Sequence, residues 1–474
     1  MKTISLFLLL TGVAAGCLAQ DTHYWTQQFG TRSALLGGAV VGGDHDNTAV
    51  YYNPGILGFT DTGSISINGN LYRLENFRIE NALGDKKDFK SKDLGSVPLL
   101  VAGTIRTHRD RLRIGYGILQ PVNFNFKALA RLDGSYPIVD DAESPGNEEF
   151  ICQRNVSSYL HEIMVVASLA WRLDEHWSVG LANLFTGRSY NYTSATVARM
   201  YLNDPPHTLV AADDLQNFSC FHLRYSAKLG LAWQNKRLSA GLTFTTPGLR
   251  LAGKGTIGAD YTGTNIKYNG IRQSVVADGI QPKLKTTYKF PLSLSGGLNW
   301  KLHHAMLAVA GQYFGKEAMY NMLQAGDVPF VRPQGAYPEV GAGRFLRVPM
   351  AARPVINGVI GYEQQLSSSL TLQTSLRNDM TWYDKDLDHQ TGIQPYITTW
   401  NIYTFSAGVT IGNGRSLLTL GLTGSFGTDD DHAEQGNYSK PASDQLLRGA
   451  VTITRASYSS FGFVLGFKYS FKKI

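Results

Sequence analysis

The chain has 474 residues, with 44 Lys and Arg against 37 Asp and Glu, a formal net charge of +7 and only 17% charged residues. So small and scattered a surplus gives no basis for a nucleic-acid role. The length is large for one soluble domain, while 50 glycines and 11% aromatics suit a β-barrel whose outer face meets lipid.

The first element is a leader. Met1-Lys2-Thr3 precedes an apolar stretch from Ile4 to Ala15 and small residues at Cys17 and Ala19, the pattern of a secretory signal cleaved before Gln20. Residues 1–19 are therefore expected to be removed and the mature chain exported. The competing reading acylates Cys17 as a lipoprotein, but Ala14 stands where a bulky aliphatic residue is wanted. After the leader, no apolar run is long enough for a transmembrane helix.

Residues 20–62 form the second element and do not read as strand. Phe29-Gly30-Thr31-Arg32-Ser33-Ala34-Leu35-Leu36-Gly37-Gly38-Ala39 is small and glycine-rich, and Asn53-Pro54-Gly55 sets a tight turn. A solvated tail would be more polar; this segment is suited to packing inside a lumen. Asp44-His45-Asp46 is its acidic cluster, expected to hydrogen-bond lumen residues such as Arg113, Arg224 or Lys228 rather than to bind metal.

The rest, 63–474, alternates. Phe461, Phe463, Leu465, Phe467, Tyr469 and Phe471 are separated by Gly462, Val464, Gly466, Lys468 and Ser470. That period of two gives a strand one apolar face. Similar segments of about ten residues, the length of a tilted membrane-crossing strand, are expected near 64–75, 97–107, 111–120, 157–172, 176–189, 221–234, 237–246, 291–302, 304–315, 355–365, 369–383, 398–412, 416–427 and 460–472. The fold class is thus all-β, a fourteen-stranded antiparallel transmembrane barrel with an N-terminal hatch in its lumen. Short and long connections alternate, as in outer-membrane barrels. The long ones fall near 76–96, 121–156, 190–220, 247–290, 316–354, 384–397 and 428–459. Leu447–Thr454 reads as an extension of the last strand. Trp171, Trp177, Trp233, Trp300, Tyr362, Trp382 and Trp400 lie near strand ends, where aromatics form interfacial girdles. Cys152 and Cys220 fall in long connections on one side, and a disulfide between them is expected in an oxidising compartment.

No enzyme motif stands out: there is no G-x-S-x-G, no H-E-x-x-H and no P-loop. Alternation sends His161 and Glu162 to opposite faces. His303-His304 and Asp429-Asp430-Asp431-His432 read as a solvated turn and loop. No cofactor, metal site or catalytic residue is expected.

A resemblance gives the hatch a function. Gly30, Arg32, Leu36, Gly37, Gly38 and Ala39, followed by Asp46, Asn47, Thr48, Ala49, Asn53 and Pro54, resemble the N-terminal hatch of the FadL family, outer-membrane transporters of long-chain fatty acids and aromatic hydrocarbons. Ile114-Gly115-Tyr116-Gly117-Ile118-Leu119-Gln120-Pro121 resembles that family's third strand, which runs into a Pro-containing break. Gly55 replaces the family's usual alanine after Asn-Pro, and Lys472-Lys473-Ile474 extend past the usual terminal aromatic. The resemblance implies a passive transporter for hydrophobic small molecules in the outer membrane of a Gram-negative bacterium. It implies a lateral opening at Gln120, Pro121 and Asn123. Expected partners are the ligand, outer-membrane lipid and lipopolysaccharide, and the barrel assembly machinery, with the chain itself a monomer. External stretches such as Tyr201–Leu215 and Met319–Tyr337 would collect ligand, and Arg or Lys would receive a carboxylate if the ligand is a fatty acid. The alternative is a FadL-like barrel serving as a binding or scaffold component, in a secretion machinery or as a haem receptor.

Overall fold

The computed structural model describes residues 21–471 apart from 44–45, 61–62, 108, 110, 140, 269–270, 327–344, 396–397, 414, 434–435, 444–446 and 451–452. The leader, Asp44, His45 and the middle of 316–354 thus lie outside the described residues. In chain order come two helical turns, α1 (Thr31–Leu35) and α2 (Ala49–Tyr52), and a 3-10 turn over Pro54–Phe59. The strands follow as β1 (Ser64–Gly84), β2 (Lys87–Arg106), β3 (Leu112–Leu119), β4 (Asn123–Tyr136), β5 (Glu148–Arg172), β6 (Trp177–Tyr201), β7 (Leu209–Gln234), β8 (Leu238–Thr245), β9 (Leu249–Tyr268) and β10 (Ile271–Lys285). Then come β11 (Ser293–Lys301), β12 (Ala305–Phe314), β13 (Glu317–Gln324), β14 (Arg347–Ala352), β15 (Val355–Gln365), β16 (Leu370–Asp379), β17 (Asn401–Asn413), β18 (Ser416–Ala433) and β19 (Ile453–Ser470).

Three staves are interrupted, β3 with β4, β8 with β9 and β10 with β11, while β13 and β14 form a separate ribbon. The sheet therefore closes as fourteen antiparallel staves. Closure is made by β19 on β1, paired from Ser64↔Ser470 to Ile79↔Ala456 with one register shift between Asn70 and Tyr72. No edge is left to template further pairing there.

The polarity of the dyad tells where the medium changes. On β19 and just past its end, Phe461, Phe463, Phe467, Tyr469 and Phe471 are 38–51% exposed and face outward, while Gly462, Val464 and Gly466 are buried inward. On β5 the phase never slips, yet its sign inverts. Ile163, Val165, Leu169 and Trp171 are exposed at the lower end. Above Leu160 the apolar residues Phe150, Cys152 and Val156 turn inward, and Glu149, Gln153 and Asn155 face out. The lower part is dressed for lipid and the upper part for water.

That inversion corrects the expected external loops. Much of 76–96, 121–156, 190–220 and 247–290 is strand, carrying the staves well beyond the membrane around an apolar interior of Phe77, Phe126, Phe150, Tyr190 and Phe218. Residues 447–450 are not strand, so the extension of the last stave begins at Ile453. Trp382 and Trp400 are buried in the lumen at 2% and 1% exposure, not in a girdle; Trp171, Trp177 and Trp300 remain exposed on the outer face.

The disulfide is also corrected. Cys152 and Cys220 are free and buried. Cys220 pairs with Tyr190, whose partner on β5 is Leu160, eight residues from Cys152. At about 3.3 Å per residue that is roughly 26 Å, against a Cα limit of about 7 Å for a disulfide. Both thiols should stay unlabelled by maleimide in the folded barrel. Both should label after denaturation without reductant; a blocked pair in the denatured chain would contradict this register.

Candidate functional site

The segment from Asp21 to Phe59 lies inside the staves. Phe29, Leu36, Val40, Val50, Ile56 and Leu57 are buried against inward residues of the wall such as Leu100, Ala102, Val166, Leu184 and Ala308. It starts high. Thr22 N–H donates to Thr398 Oγ1 at 2.7 Å, His23 Nε2 bonds Trp400 O at 2.8 Å and Trp25 N–H donates to Asp379 Oδ2 at 3.0 Å. It ends low, where the Pro54–Phe59 turn packs on β5, β6 and β7 before the chain enters β1.

Each residue of this segment singled out by sequence has a defined place there. Gly30 N–H donates to Asn68 Oδ1 on β1 at 3.0 Å. Arg32 forms an ion pair with Glu363 on β15, Nη2 to Oε1 being 3.0 Å. Gly37 and Gly38 turn the chain after α1 with φ of 63° and 88°, a region that favours glycine. Asp46 accepts from Thr31 N–H and Oγ1 at 3.0 and 2.9 Å, so it binds its own segment and not a wall cation. The basic residues instead donate to backbone carbonyls, Lys228 Nζ to Tyr51 O at 2.8 Å and Arg113 Nε to Thr60 O at 2.7 Å. Asn47 accepts from Ser64 Oγ at 2.6 Å. Asn53 Nδ2 donates to both Val41 O and Leu231 O at 3.0 Å, tying two parts of the segment to β7, and Pro54 opens the 3-10 turn.

The wall accommodates this by giving up side chains. Gly241 on β8 pairs with Gly297 on β11. A Cβ on Gly241 would collide with the Val41 carbonyl, and one on Gly297 would sit 2.7 Å from the Gly42 nitrogen. Gly241→Val should push the segment off the wall at a cost of about 1–3 kcal/mol. It should lower the temperature at which the barrel loses its compact SDS-gel mobility; an unchanged transition would mean the contact is slack.

Gln120, Pro121 and Asn123 lie at a true interruption. Leu119 pairs with Met164 and Asn123 with His161, so three residues of the β3–β4 stave face two on β5. The β2–β3 ladder ends at Leu100↔Leu119. Above it, β2 and β4 are joined by hydrogen bonds that use side chains: Lys127 N–H to Ser91 Oγ at 3.0 Å and Asn125 Nδ2 to Asp93 Oδ1 at 3.1 Å. Gln120 Nε2 reaches His161 Nδ1 at 2.9 Å and closes the notch.

Sequence reasoning missed what stands beside that notch. Inward-facing Glu162 on β5 accepts from Arg188 of β6 (Nη1–Oε1, 2.9 Å) and from Arg224 of β7 (2.8 and 3.1 Å). The Arg188 guanidinium lies 3.8 Å from the Tyr288 ring centre, and that of Arg224 4.9 Å from Phe290. Lys228 sits lower on β7, 4.2 Å from the Tyr51 ring. All four side chains are buried, and two guanidinium groups share one carboxylate. Arg188 Nε and Nη2 and both ring nitrogens of His222 have no hydrogen-bond partner among the described residues. Such a site is suited to an anion with an apolar body. The signal was in the sequence: alternation puts all four on the lumen face, and ionisable residues at membrane depth mark function.

Space at this level is filled. Tyr24 stacks on Phe314 at 4.1 Å and meets Phe290 edge-on at 5.5 Å, and the cavity below, bounded by Tyr51, Tyr52 and Lys228, is about 20 Å³. A cavity of about 260 Å³ opens at the lower mouth among Arg32, Glu363, Lys301, His303 and His304.

Neither a family model nor a curated protein matches the sequence. The structure does have solved likenesses. A Pseudomonas aeruginosa FadL homologue superposes with a TM-score of 0.56 at 12% identity, over 97% of this chain and 100% of that one. The Ralstonia pickettii toluene transporter TbuX gives 0.57 at 14% identity, and the P. putida toluene transporter TodX 0.58 at 14%; both comparisons cover 94% of this chain and 99% of the other. At such identity it is the fold that is shared: this chain has the fourteen-stranded barrel of FadL-type hydrophobic-compound transporters.

Proposed function

We propose that the protein is a passive outer-membrane transporter for amphipathic acids of the long-chain fatty acid class, with residues 20–62 as a movable hatch. The observation that carries the acid is the surplus of buried positive charge at Arg188 and Arg224 over Glu162, with donors of Arg188 unused. A neutral hydrocarbon such as toluene, named for two of the likenesses, would leave that charge uncompensated. Tyr24 occupies the apolar space beside the cluster, so an arriving tail competes with it. Displacing Tyr24 pulls on a segment pinned at Asp379, Trp400 and Thr398, and this supports coupling between ligand and hatch. The notch at Gln120–Asn123, at the height of Glu162, is the lateral release point in this reading: Glu162 N–H bonds Val122 O at 2.9 Å.

The test is equilibrium binding to the detergent-purified barrel. A C16–C18 fatty acid should bind with one site and be displaced by its competitors in order of tail length, while toluene should compete weakly. Equal competition by toluene would overturn the acid assignment. A barrel with no lipid bound and a stably associated protein would favour a scaffold instead.

A further inference from the structure

The wall has a second interruption, and it faces the same cluster. Between β8 and β9 lie Thr246, Pro247 and Gly248, which repeat the geometry around Pro121: Lys228 pairs with Thr245 and Tyr225 with Leu249, so three residues again oppose two. On the neighbouring stave, β10 ends at Lys285 and β11 starts at Ser293. The ladder between these staves holds from Trp300↔Leu238 to Ser293↔Thr245 and resumes at Lys285↔Lys254. In between, two backbone hydrogen bonds cross among the described residues, Gly248 N–H to Phe290 O at 2.9 Å and Thr286 N–H to Gly253 O at 3.4 Å. Segment 286–292 turns some of its donors the other way, Thr287 N–H bonding Met322 O on β13.

One side chain bolts the gap. Arg250 donates through Nε to Thr286 O across the staves at 2.7 Å and through Nη2 to Gly253 O of its own stave at 2.8 Å, reinforcing the long Thr286–Gly253 backbone bond where the ladder resumes. Among the described residues its hydrogen-bond partners are carbonyls, with no carboxylate. It also pairs directly across the strands with Arg224, and like charges in that position repel. Outside the gap the wall is apolar, with Leu249, Leu251 and Leu292 exposed at 61%, 51% and 40%. Inside stand Phe290 and the Arg224–Arg188–Glu162 row.

We propose that this gap is a second lateral portal, through which the tail of an amphipathic acid lies in the bilayer while its head group passes from Arg250 to Arg224 and Arg188. The row of charges runs around the wall from β9 to β5 and has a proline-marked break at each end, Pro247 at one and Pro121 at the other. Arg250 is a bolt while the lumen is empty, because the carbonyls are its best partners. An incoming carboxylate offers it a stronger, charge-assisted partner and relieves the Arg224–Arg250 repulsion, so the ligand itself draws the bolt. The idea rests on the transport reading above and adds a route to it.

A Cβ on Gly248 lies 3.2 Å from that of Phe290, close enough for an engineered disulfide after slight relaxation. In cells expressing G248C/F290C, oxidation should cut uptake of radiolabelled oleate at least tenfold, and reductant should restore it. F290C alone should ignore the oxidant. Uptake by the oxidised pair equal to that of the reduced pair overturns the portal. If the unmodified protein shows no uptake over cells lacking it, the transport reading fails, and a second readout still decides the portal. With F290C reconstituted in phosphatidylcholine vesicles, a maleimide carried at the end of an acyl chain should label the new thiol at least tenfold faster when Arg250→Ala is added. Equal labelling, in barrels that keep their compact SDS-gel mobility, overturns the portal by itself.

Discussion

Deleting residues 28–55 should turn a closed barrel into a steadily conducting pore in planar bilayers. In the intact protein the lumen is occupied from Trp400 down to the Pro54–Phe59 turn, and the inward wall residues Leu100, Val166, Leu184 and Ala308 are covered by the segment, not by water. Fourteen staves make a ring wide enough that wall side chains alone do not fill it. The deletion takes away the Arg32–Glu363 pair and the Asn53 bonds to β7, but leaves every inter-stave ladder in place. Barrel closure, read as heat-modifiable mobility on a gel, should therefore survive while conductance rises from no resolvable steps to steps of porin size. Unchanged conductance with a folded barrel would show that the segment does not plug the lumen. A subtler version is Arg32→Ala. It removes a half-buried ion pair and should produce brief openings in place of a permanent pore.

The fourteen staves were legible because lipid-facing strands carry the strongest form of the dyad: large apolar residues on one face, as from Phe461 to Phe471, and small or polar ones on the other. What escaped was strand whose outward face is wet. Glu149 to Leu160 alternates as regularly as Ile163 to Trp171, but with the apolar face inside. A search for an apolar outer face passes over it and reports a loop. The cysteine reading failed for the same reason: Cys152 and Cys220 sit at inward positions of long strands, fixed by register, and not in loops able to meet. That the N-terminal segment packs inside the staves was legible through its composition. Gly37, Gly38, Asn53 and Pro54 are where turns and close backbone contacts require them. Its partners were not, because Lys228 and Arg113 bind carbonyls of the segment, and a carbonyl leaves no trace in the choice of residue. The charge cluster was half visible. Arg224 and Lys228 were on the lumen face by phase, yet their joining to Glu162 and Arg188 depends on which staves are neighbours at one height.

In that cluster, stability and affinity should move in opposite directions. Glu162→Gln leaves Arg188 and Arg224 buried with no carboxylate between them. Removing one partner of a buried ion pair costs about 3–5 kcal/mol, so the empty variant should lose compact mobility at markedly lower denaturant than the parent. The same change deepens the positive potential of the site. A long-chain carboxylate should therefore bind the variant at least as tightly as the parent, and saturating acid should restore more stability to the variant than to the parent. Arg224→Ala does the reverse. It removes two charge-assisted hydrogen bonds to Glu162 and one of the cations that would meet the ligand. At about 1.5–3 kcal/mol for a hydrogen bond to a charged group, affinity for the acid should fall by roughly 10- to 100-fold. Affinity for an uncharged ester of the same tail should stay near its parental value. A cluster that served only to hold β5, β6 and β7 together would give another pattern: both variants would lose stability, acid would rescue neither preferentially, and acid and ester would respond alike. Denaturant curves with and without palmitate, run beside the methyl ester, separate the two outcomes.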